Sequence, residues 1–131
     1  MGVRLRLFDE STAGHCREAG GLALDSATIT VRELIRERIR SEVEAYNQSL
    51  PPVFQGLVQP EESERVLNGF RLRSTRPLDW HKQYERAVRS FEANGFLVIV
   101  GDRQVTDLDE ALRLTDDEKV RFLKLVPLVG G

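Results

Sequence analysis

Over the first eight residues apolar and charged side chains alternate, with Val3, Leu5 and Leu7 on one side and Arg4 and Arg6 on the other. This is the period of a half-buried strand, predicted over residues 3–8. The polar stretch 9–21, with Gly14, Gly20 and Gly21, reads as a loop, and residues 22–24 as a short second strand. Together they predict an antiparallel hairpin with a long connection. The period then changes. Val31, Leu34, Ile35, Ile39, Val43 and Tyr46 recur at helical spacing, and Arg32, Arg36, Glu37, Arg40 and Glu44 fill the other faces. Thr30 followed by Glu33 is a capping box, in which each side chain satisfies one of the backbone donors left orphaned at a helix start. Pro51-Pro52 cannot continue the helix, so it ends over residues 47–52.

Between residues 51 and 76 the pattern weakens. Pro60, the acidic run Glu61-Glu62 with Glu64, and Asn68-Gly69 read as turns around short irregular pieces, with a brief strand over 70–73. A second helix is predicted from Asp79, its N-cap, to Ala93, with Trp80, Tyr84, Val88 and Phe91 on one face and Asn94-Gly95 as its left-handed stop. The apolar run 96–100 is a buried strand. Gly101-Asp102 turns it into a partner strand over 103–105. Residues 107–114 read as a helical turn or two, with Leu108, Ala111 and Leu112 inward. Asp116-Asp117 is a turn, and 118–126 is the final strand, stopped near Pro127. Strands around one main helix predict an α+β domain: a mixed sheet packed on that helix, with a second helix inserted within residues 50–95. Placing the first and last strands side by side in the centre of the sheet would protect both from solvent.

Composition narrows the class. The chain has 131 residues, 40% of them hydrophobic, enough for one domain. Nineteen basic against 21 acidic residues give a net charge of −2, which does not suggest a general nucleic-acid binder. No apolar run approaches the ~18 residues of a membrane span, and the start carries no signal-peptide pattern. Cys16 is the only cysteine, which excludes an internal disulfide and predicts a cytoplasmic protein.

The predicted order, two strands, helix, then strands with an apolar last one running into Gly130-Gly131, resembles the ubiquitin-like β-grasp family. That family includes the ubiquitin-like protein modifiers and the prokaryotic sulfur carriers of molybdopterin and thiamin synthesis. Residues 96–131 carry most of the likeness: apolar strand, Val100-Gly101-Asp102-Arg103 turn, small strand, Asp107 to Leu112 turn, and last strand after Asp117-Glu118. The ending Val126-Pro127-Leu128-Val129-Gly130-Gly131 is similar to the Pro-Pro-Val-x-Gly-Gly ending of sulfur carriers, with Val126 in place of the first proline and Leu128 in place of the valine. Residues 3–49 match more weakly, and 50–95 have no counterpart in a minimal member.

The resemblance implies a bacterial protein modifier with a flexible tail over 127–131. An ATP-dependent, E1-like adenylating enzyme would activate Gly131. An E2-like conjugating enzyme would pass it on, a deconjugating protease would release it, and a target protein would supply the amine. The alternatives are a sulfur carrier ending in a thiocarboxylate, and a β-grasp interaction module that is never conjugated. None of these implies a cofactor, a metal, a nucleic acid or a membrane, nor catalysis by the chain itself.

The chemistry of such a tail follows from its residues. A terminal carboxylate is an anion at neutral pH and can attack a phosphorus centre. Gly130 and Gly131 lack a Cβ, so they thread narrow passages and leave the reacting carbonyl unhindered. Pro127 cannot donate a sheet hydrogen bond and so ends the strand. Leu128 and Val129 offer apolar handles on an extended segment.

Other chemistry-bearing residues read as structural. Cys16 beside His15 lacks a supporting motif for nucleophilic catalysis, and His81 has no partner at metal-ligand spacing. Asp107, Asp109 and Glu110 read as capping and solvating a turn. Trp80, Tyr84 and Phe91 read as core, and Arg71, Arg73 and Arg76 as a solvated edge. Gly20-Gly21 lacks the lysine and helix of a phosphate loop. Lys82, Lys119 and Lys124 are the only lysines, a scarcity that matches a general preference for arginine.

Overall fold

The structure is a computed structural model and describes residues 2–125. In chain order the elements are β1 (Val3–Ser11), β2 (Cys16–Leu24), β3 (Thr28–Thr30), α1 (Val31–Ser49), β4 (Ser63–Val66), β5 (Gly69–Leu72), α2 (Trp80–Glu92), β6 (Phe96–Val100), β7 (Arg103–Val105), β8 (Ala111–Arg113) and β9 (Lys119–Lys124). The architecture is α+β, with a mixed five-stranded sheet in the order β2-β1-β9-β6-β7 and two helices. Two compact units divide the chain. One comprises Met1–Leu34 with Ser90–Gly131, the other Ile35–Arg89.

In the first unit, β1 pairs antiparallel with β2 and parallel with β9. The first and last strands are therefore neighbours in the middle of the sheet, as the protection argument predicts. Leu5, Leu7, Phe96, Val98, Val105, Val120 and Phe122 form the apolar inner face and are almost fully buried. The expected loop over 9–21 is instead mostly strand, because β1 runs on to Ser11 and β2 starts at Cys16. Gly20 is the reason the sequence misleads. Between the pairs Arg6–Gly21 and Phe8–Glu18, the residues Ala19 and Gly20 together oppose Leu7, a β-bulge in which Gly20 takes φ 91°. Glycine there marks a bulge within a strand, not its end.

The expected helical turn over 107–114 is also overturned. Ala111–Arg113 is strand β8, paired antiparallel with Thr28–Thr30. Burial alternates at this ladder, with Leu112 and Leu114 buried and Ala111 and Arg113 exposed, so Ala111 does not point inward. The first turn of α1 follows β3 directly. Its Val31 and Arg32 N–H groups donate to the Glu110 and Leu108 carbonyls at 3.1 and 2.9 Å. The capping box forms as expected: Glu33 N–H donates to Thr30 Oγ1 at 3.1 Å and Thr30 N–H to Glu33 Oε1 at 3.3 Å.

In the second unit, the brief strand expected over 70–73 is present as β5, paired antiparallel with β4 where only irregular pieces were expected, and Phe54 bridges to Phe70 on its other side. The hairpin was hidden because alternating charges on β4 resemble a solvated loop. Asp79 caps α2 as predicted, accepting from His81 N–H at 2.9 Å. The buried stripe of α2, however, is Gln83, Ala87 and Phe91, while Trp80, Tyr84 and Val88 are only half-buried beside it. Gln83 is inside because it has a partner: Nε2 donates to the Val58 carbonyl at 3.2 Å. Arg38 is 3% exposed and donates from Nε and a terminal nitrogen to Glu42 Oε2, both at 3.2 Å, while Glu42 Oε1 accepts from Leu57 N–H at 3.0 Å.

Two stability measurements by urea unfolding test these assignments. Leu112→Ala is expected to cost ~2–4 kcal/mol while Ala111→Lys stays within ~0.5 kcal/mol, the reverse of what an inward Ala111 requires. Glu42→Ala removes a carboxylate partner of the buried Arg38 and the acceptor of the Leu57 N–H and is expected to cost about 3 kcal/mol. Glu44→Ala, which removes the exposed partner of Arg40, should leave stability nearly unchanged.

Candidate functional site

The tail residues on which the sequence reading concentrates, Pro127, Leu128, Val129, Gly130 and Gly131, lie outside the described residues, as does Val126. The structure does describe the end of the strand that leads to them. Because β1 and β9 are parallel, both run to the same end of the sheet, where β1 enters its hairpin and β6 begins. At that end the chain is gripped from two sides. Thr12 N–H donates to the Lys124 carbonyl at 3.0 Å, and Leu125 N–H donates to the Gly95 carbonyl at 3.1 Å.

Each half of this grip is set by local sequence. Thr12 lies in the β1–β2 connection, closed by bonds from Ser11 N–H to the His15 carbonyl and from Gly14 N–H to the Ser11 carbonyl, with Gly14 at φ 90°. Gly95 belongs to the stop of α2. Asn94 takes the left-handed conformation at φ 59°, and Gly95 N–H returns to the Ser90 carbonyl at 2.7 Å. A Cβ at Gly95 would collide with Ser90 Oγ, so a larger residue there would require the serine side chain to turn away. The sequence marked Gly95 as a helix stop; that its carbonyl also holds the last strand could not be read there.

Charge is arranged around the same end. Asp9 points to the inner face, only 7% exposed, and Arg17 on β2 pairs with it at 3.0 Å. On the outer face Arg121 pairs with Glu10 at 3.3 Å. Leu97 and Leu123, Cα partners across β6 and β9, stand half-buried on that outer face, and Leu125 is 39% exposed beyond them. They form a short apolar stripe running towards Leu125 at the end of the described chain. An unbroken apolar run over 96–100, without alternation, was the available signal that both faces of β6 carry apolar side chains.

The remaining sequence candidates fall elsewhere. Cys16 Sγ lies 3.9 Å from Glu10 Oε2 on the outer face, with no imidazole contact to it among the described residues. His81 stacks on Trp80 with ring centroids 3.9 Å apart. Asp107 caps its turn by accepting from Asp109 N–H at 2.9 Å. Asp109 and Glu110 pair with Arg32 and Arg103 at 3.3 and 2.6 Å. Arg71 pairs with Glu64 at 3.5 Å, and Arg76 donates to the Glu61 carbonyl at 2.9 Å. Among the described residues no cluster of three or more His, Cys, Asp and Glu is placed to hold a metal ion, and no helix is long and apolar enough to cross a membrane.

No protein-family model matches this chain, and a search of curated proteins finds no match to it.

The two-sided grip makes a measurable claim. Hydrogen exchange at the Leu125 amide should be slow for a residue at a strand's end. Thr12→Pro, which deletes one of the two bonds, is expected to speed it by roughly tenfold. Equal exchange in both proteins would show that the strand end is held some other way.

Proposed function

We propose that this chain is a bacterial, cytoplasmic protein modifier of the ubiquitin-like β-grasp type, a single domain with residues 50–95 inserted, joined to target amines through Gly130-Gly131. The fold elements are compatible with this reading. The observation that supports it is the central parallel pair β1–β9, whose last strand ends at Lys124 with only Leu125 and Val126 between it and Pro127-Leu128-Val129-Gly130-Gly131 in the sequence. A tail presented this way needs a rigid launching point, and the bonds to Thr12 and Gly95 provide one.

In the proposed sequence the Gly131 carboxylate attacks the α-phosphorus of ATP in an E1-like adenylating enzyme. Pyrophosphate leaves and an acyl-adenylate forms. A cysteine thiol of that enzyme attacks the acyl carbon and AMP departs, giving a thioester; a cysteine thiol of an E2-like partner then attacks that thioester and the first thiol departs. A target amine then attacks the thioester, forming an amide and releasing the thiol; a deconjugating protease reverses this last bond by hydrolysis. Glycine at 130 and 131 gives the attacking groups clearance, and Pro127, Leu128 and Val129 dock the extended tail. The chain contributes an acyl group and no catalytic residue.

A second reading is favoured by the Pro-Leu-Val-Gly-Gly ending. Sulfide-level sulfur, in place of the cysteine thiol, would attack the acyl carbon of the adenylate, AMP would depart, and a thiocarboxylate would remain for delivery to a small-molecule precursor. The insertion favours the modifier, because a carrier need only present its tail, whereas a modifier gains from a further recognition face.

The test is mass spectrometry of the chain, tagged at its N-terminus and purified under denaturing conditions from its native host. Gly131 is expected in isopeptide linkage to lysines of other proteins, and deletion of Gly130 and Gly131 should abolish every such adduct. A terminal oxygen replaced by sulfur, without isopeptides, identifies the carrier. Neither modification, with the cellular effect unchanged by the deletion, leaves an interaction module and sinks both readings.

A further inference from the structure

Asparagine is followed by glycine at Asn68-Gly69 and at Asn94-Gly95. At such a step the glycine nitrogen, with no side chain beside it, can reach the asparagine side-chain carbonyl carbon if the backbone rotates. The two steps differ in how firmly their backbone is held.

Around Gly95 rotation is opposed on several sides. Asn94 N–H donates to the Phe91 carbonyl at 3.1 Å, Gly95 N–H to the Ser90 carbonyl at 2.7 Å, and the Gly95 carbonyl accepts from Leu125 N–H at 3.1 Å. Moving the Gly95 nitrogen would undo both the stop of α2 and the hold on the end of β9. Asn68-Gly69 instead lies at the tip of the β4–β5 hairpin. Leu67 and Asn68 are the whole connection, because Val66 and Gly69 are the last Cα partners of the ladder. Both connecting residues are exposed, Leu67 at 94%. Opening the tip breaks only that terminal pair, since Phe70 remains bonded to Phe54 through both backbone groups at 3.0 and 2.8 Å.

Glycine at 69 has a structural cause: it takes φ 153°, and a Cβ there would come within 2.5 Å of the Phe54 carbonyl oxygen. Asparagine at 68 has none. Two-residue turns that match strand twist use asparagine for its tolerance of positive φ, yet Leu67 and Asn68 both keep negative φ. Among the described residues the Asn68 side chain takes no hydrogen bond. The turn therefore requires the glycine and asks nothing of the residue before it.

We propose that Asn68 is a site of spontaneous deamidation in the folded protein. The Gly69 backbone nitrogen loses its proton to solvent and attacks Cγ of Asn68. A new N–Cγ bond closes a succinimide ring, the Cγ–Nδ2 bond breaks, and ammonia departs. Water then adds to either ring carbonyl, giving aspartate or isoaspartate; no oxidant or reductant takes part. Either product adds one negative charge to the tip. Isoaspartate also routes the main chain through the side-chain carbon, which lengthens a connection of only two residues and loosens the first pair of β4 with β5. The reaction uses nothing from Gly130-Gly131 and stands whether or not the tail is activated.

The test incubates the purified full chain at neutral and mildly alkaline pH, with peptide mapping by mass spectrometry and fragmentation that separates aspartate from isoaspartate. The peptide containing Asn68 is expected to convert roughly tenfold or more faster than that containing Asn94, and faster at the higher pH. In urea-unfolded chain, where neither backbone is held, both should convert at similar rates. Asn68→Ser should abolish conversion at the tip and leave the urea midpoint unchanged. Deleting Gly130 and Gly131 should leave the Asn68 rate unchanged, so this site and the tail are read separately. In 15N-labelled chain, amide shifts on conversion are expected at Val66, Gly69, Phe70 and Phe54. Equal rates at Asn68 and Asn94 in the folded chain, or an unaltered Asn68 over a period that converts it in urea, would overturn the proposal.

Discussion

Six consecutive pairs, from Arg6 opposite Lys119 to Ser11 opposite Lys124, join the first strand of this chain to the last in parallel. No short turn can make such a pair, because parallel neighbours need a crossover, and here the crossover is almost the whole chain. The entropy of closing that loop has to be recovered by what the pair assembles. The recovery is visible on the inner face, where Leu5, Leu7, Val120 and Phe122 are buried at 4% exposure or less. The two strands most distant in sequence thus occupy the best-protected positions. The edges are left to β2, interrupted by its bulge at Gly20, and to β7, three residues long. Short and bulged edges resist unwanted pairing with other chains.

The same pair decides what lies at the exit. Parallel strands finish at the same end, so the β1–β2 connection and the last strand are brought together there, and the start of β6 joins them from the other side. Thr12 and Gly95, 83 positions apart in the chain, hold adjacent backbone groups of residues 124 and 125 for that reason alone. The outer face inherits its chemistry from the same register. Arg6 and Lys119 are neighbours only because β1 pairs with β9 in this alignment; a slip of β9 by one residue would send Lys119 towards the core and Val120 and Phe122 out of it.

Several elements could be read directly from the residues. Thr30 with Glu33, the apolar positions of α1, Asp79 at the start of α2 and Asn94-Gly95 at its end are local signals acting within one or two turns of backbone, and each does what its chemistry predicts. The strand over 96–100 and the turn at Gly101, which takes φ 60°, belong to the same class. The misreadings share a cause. Gly20 looked like a loop because a bulge and a turn both call for a positive φ. Residues 111–113 looked helical because three residues are too few to show a period. Gln83 was missing from the predicted face of α2, because its acceptor, the Val58 carbonyl, lies 25 positions away. For the candidate site, the apolar character of both faces of β6 was legible, whereas the bonds that hold the end of β9 were not.

The amino-acid order alone determined where helices begin and stop, which faces are apolar, that the first and last strands merit protection, and that the chain carries a Pro-Leu-Val-Gly-Gly segment. These are properties of neighbours in sequence, fixed by backbone sterics and hydrophobic period. Only the tertiary structure decided the register of β1 on β9, the pairing of β3 with β8, the grip of Thr12 and Gly95 on the strand end, and the meeting of two cations over Phe8. Each of these joins residues that no local rule connects, and their partners become defined only once burial of the inner face selects one alignment of strands from the many that backbone hydrogen bonding would accept.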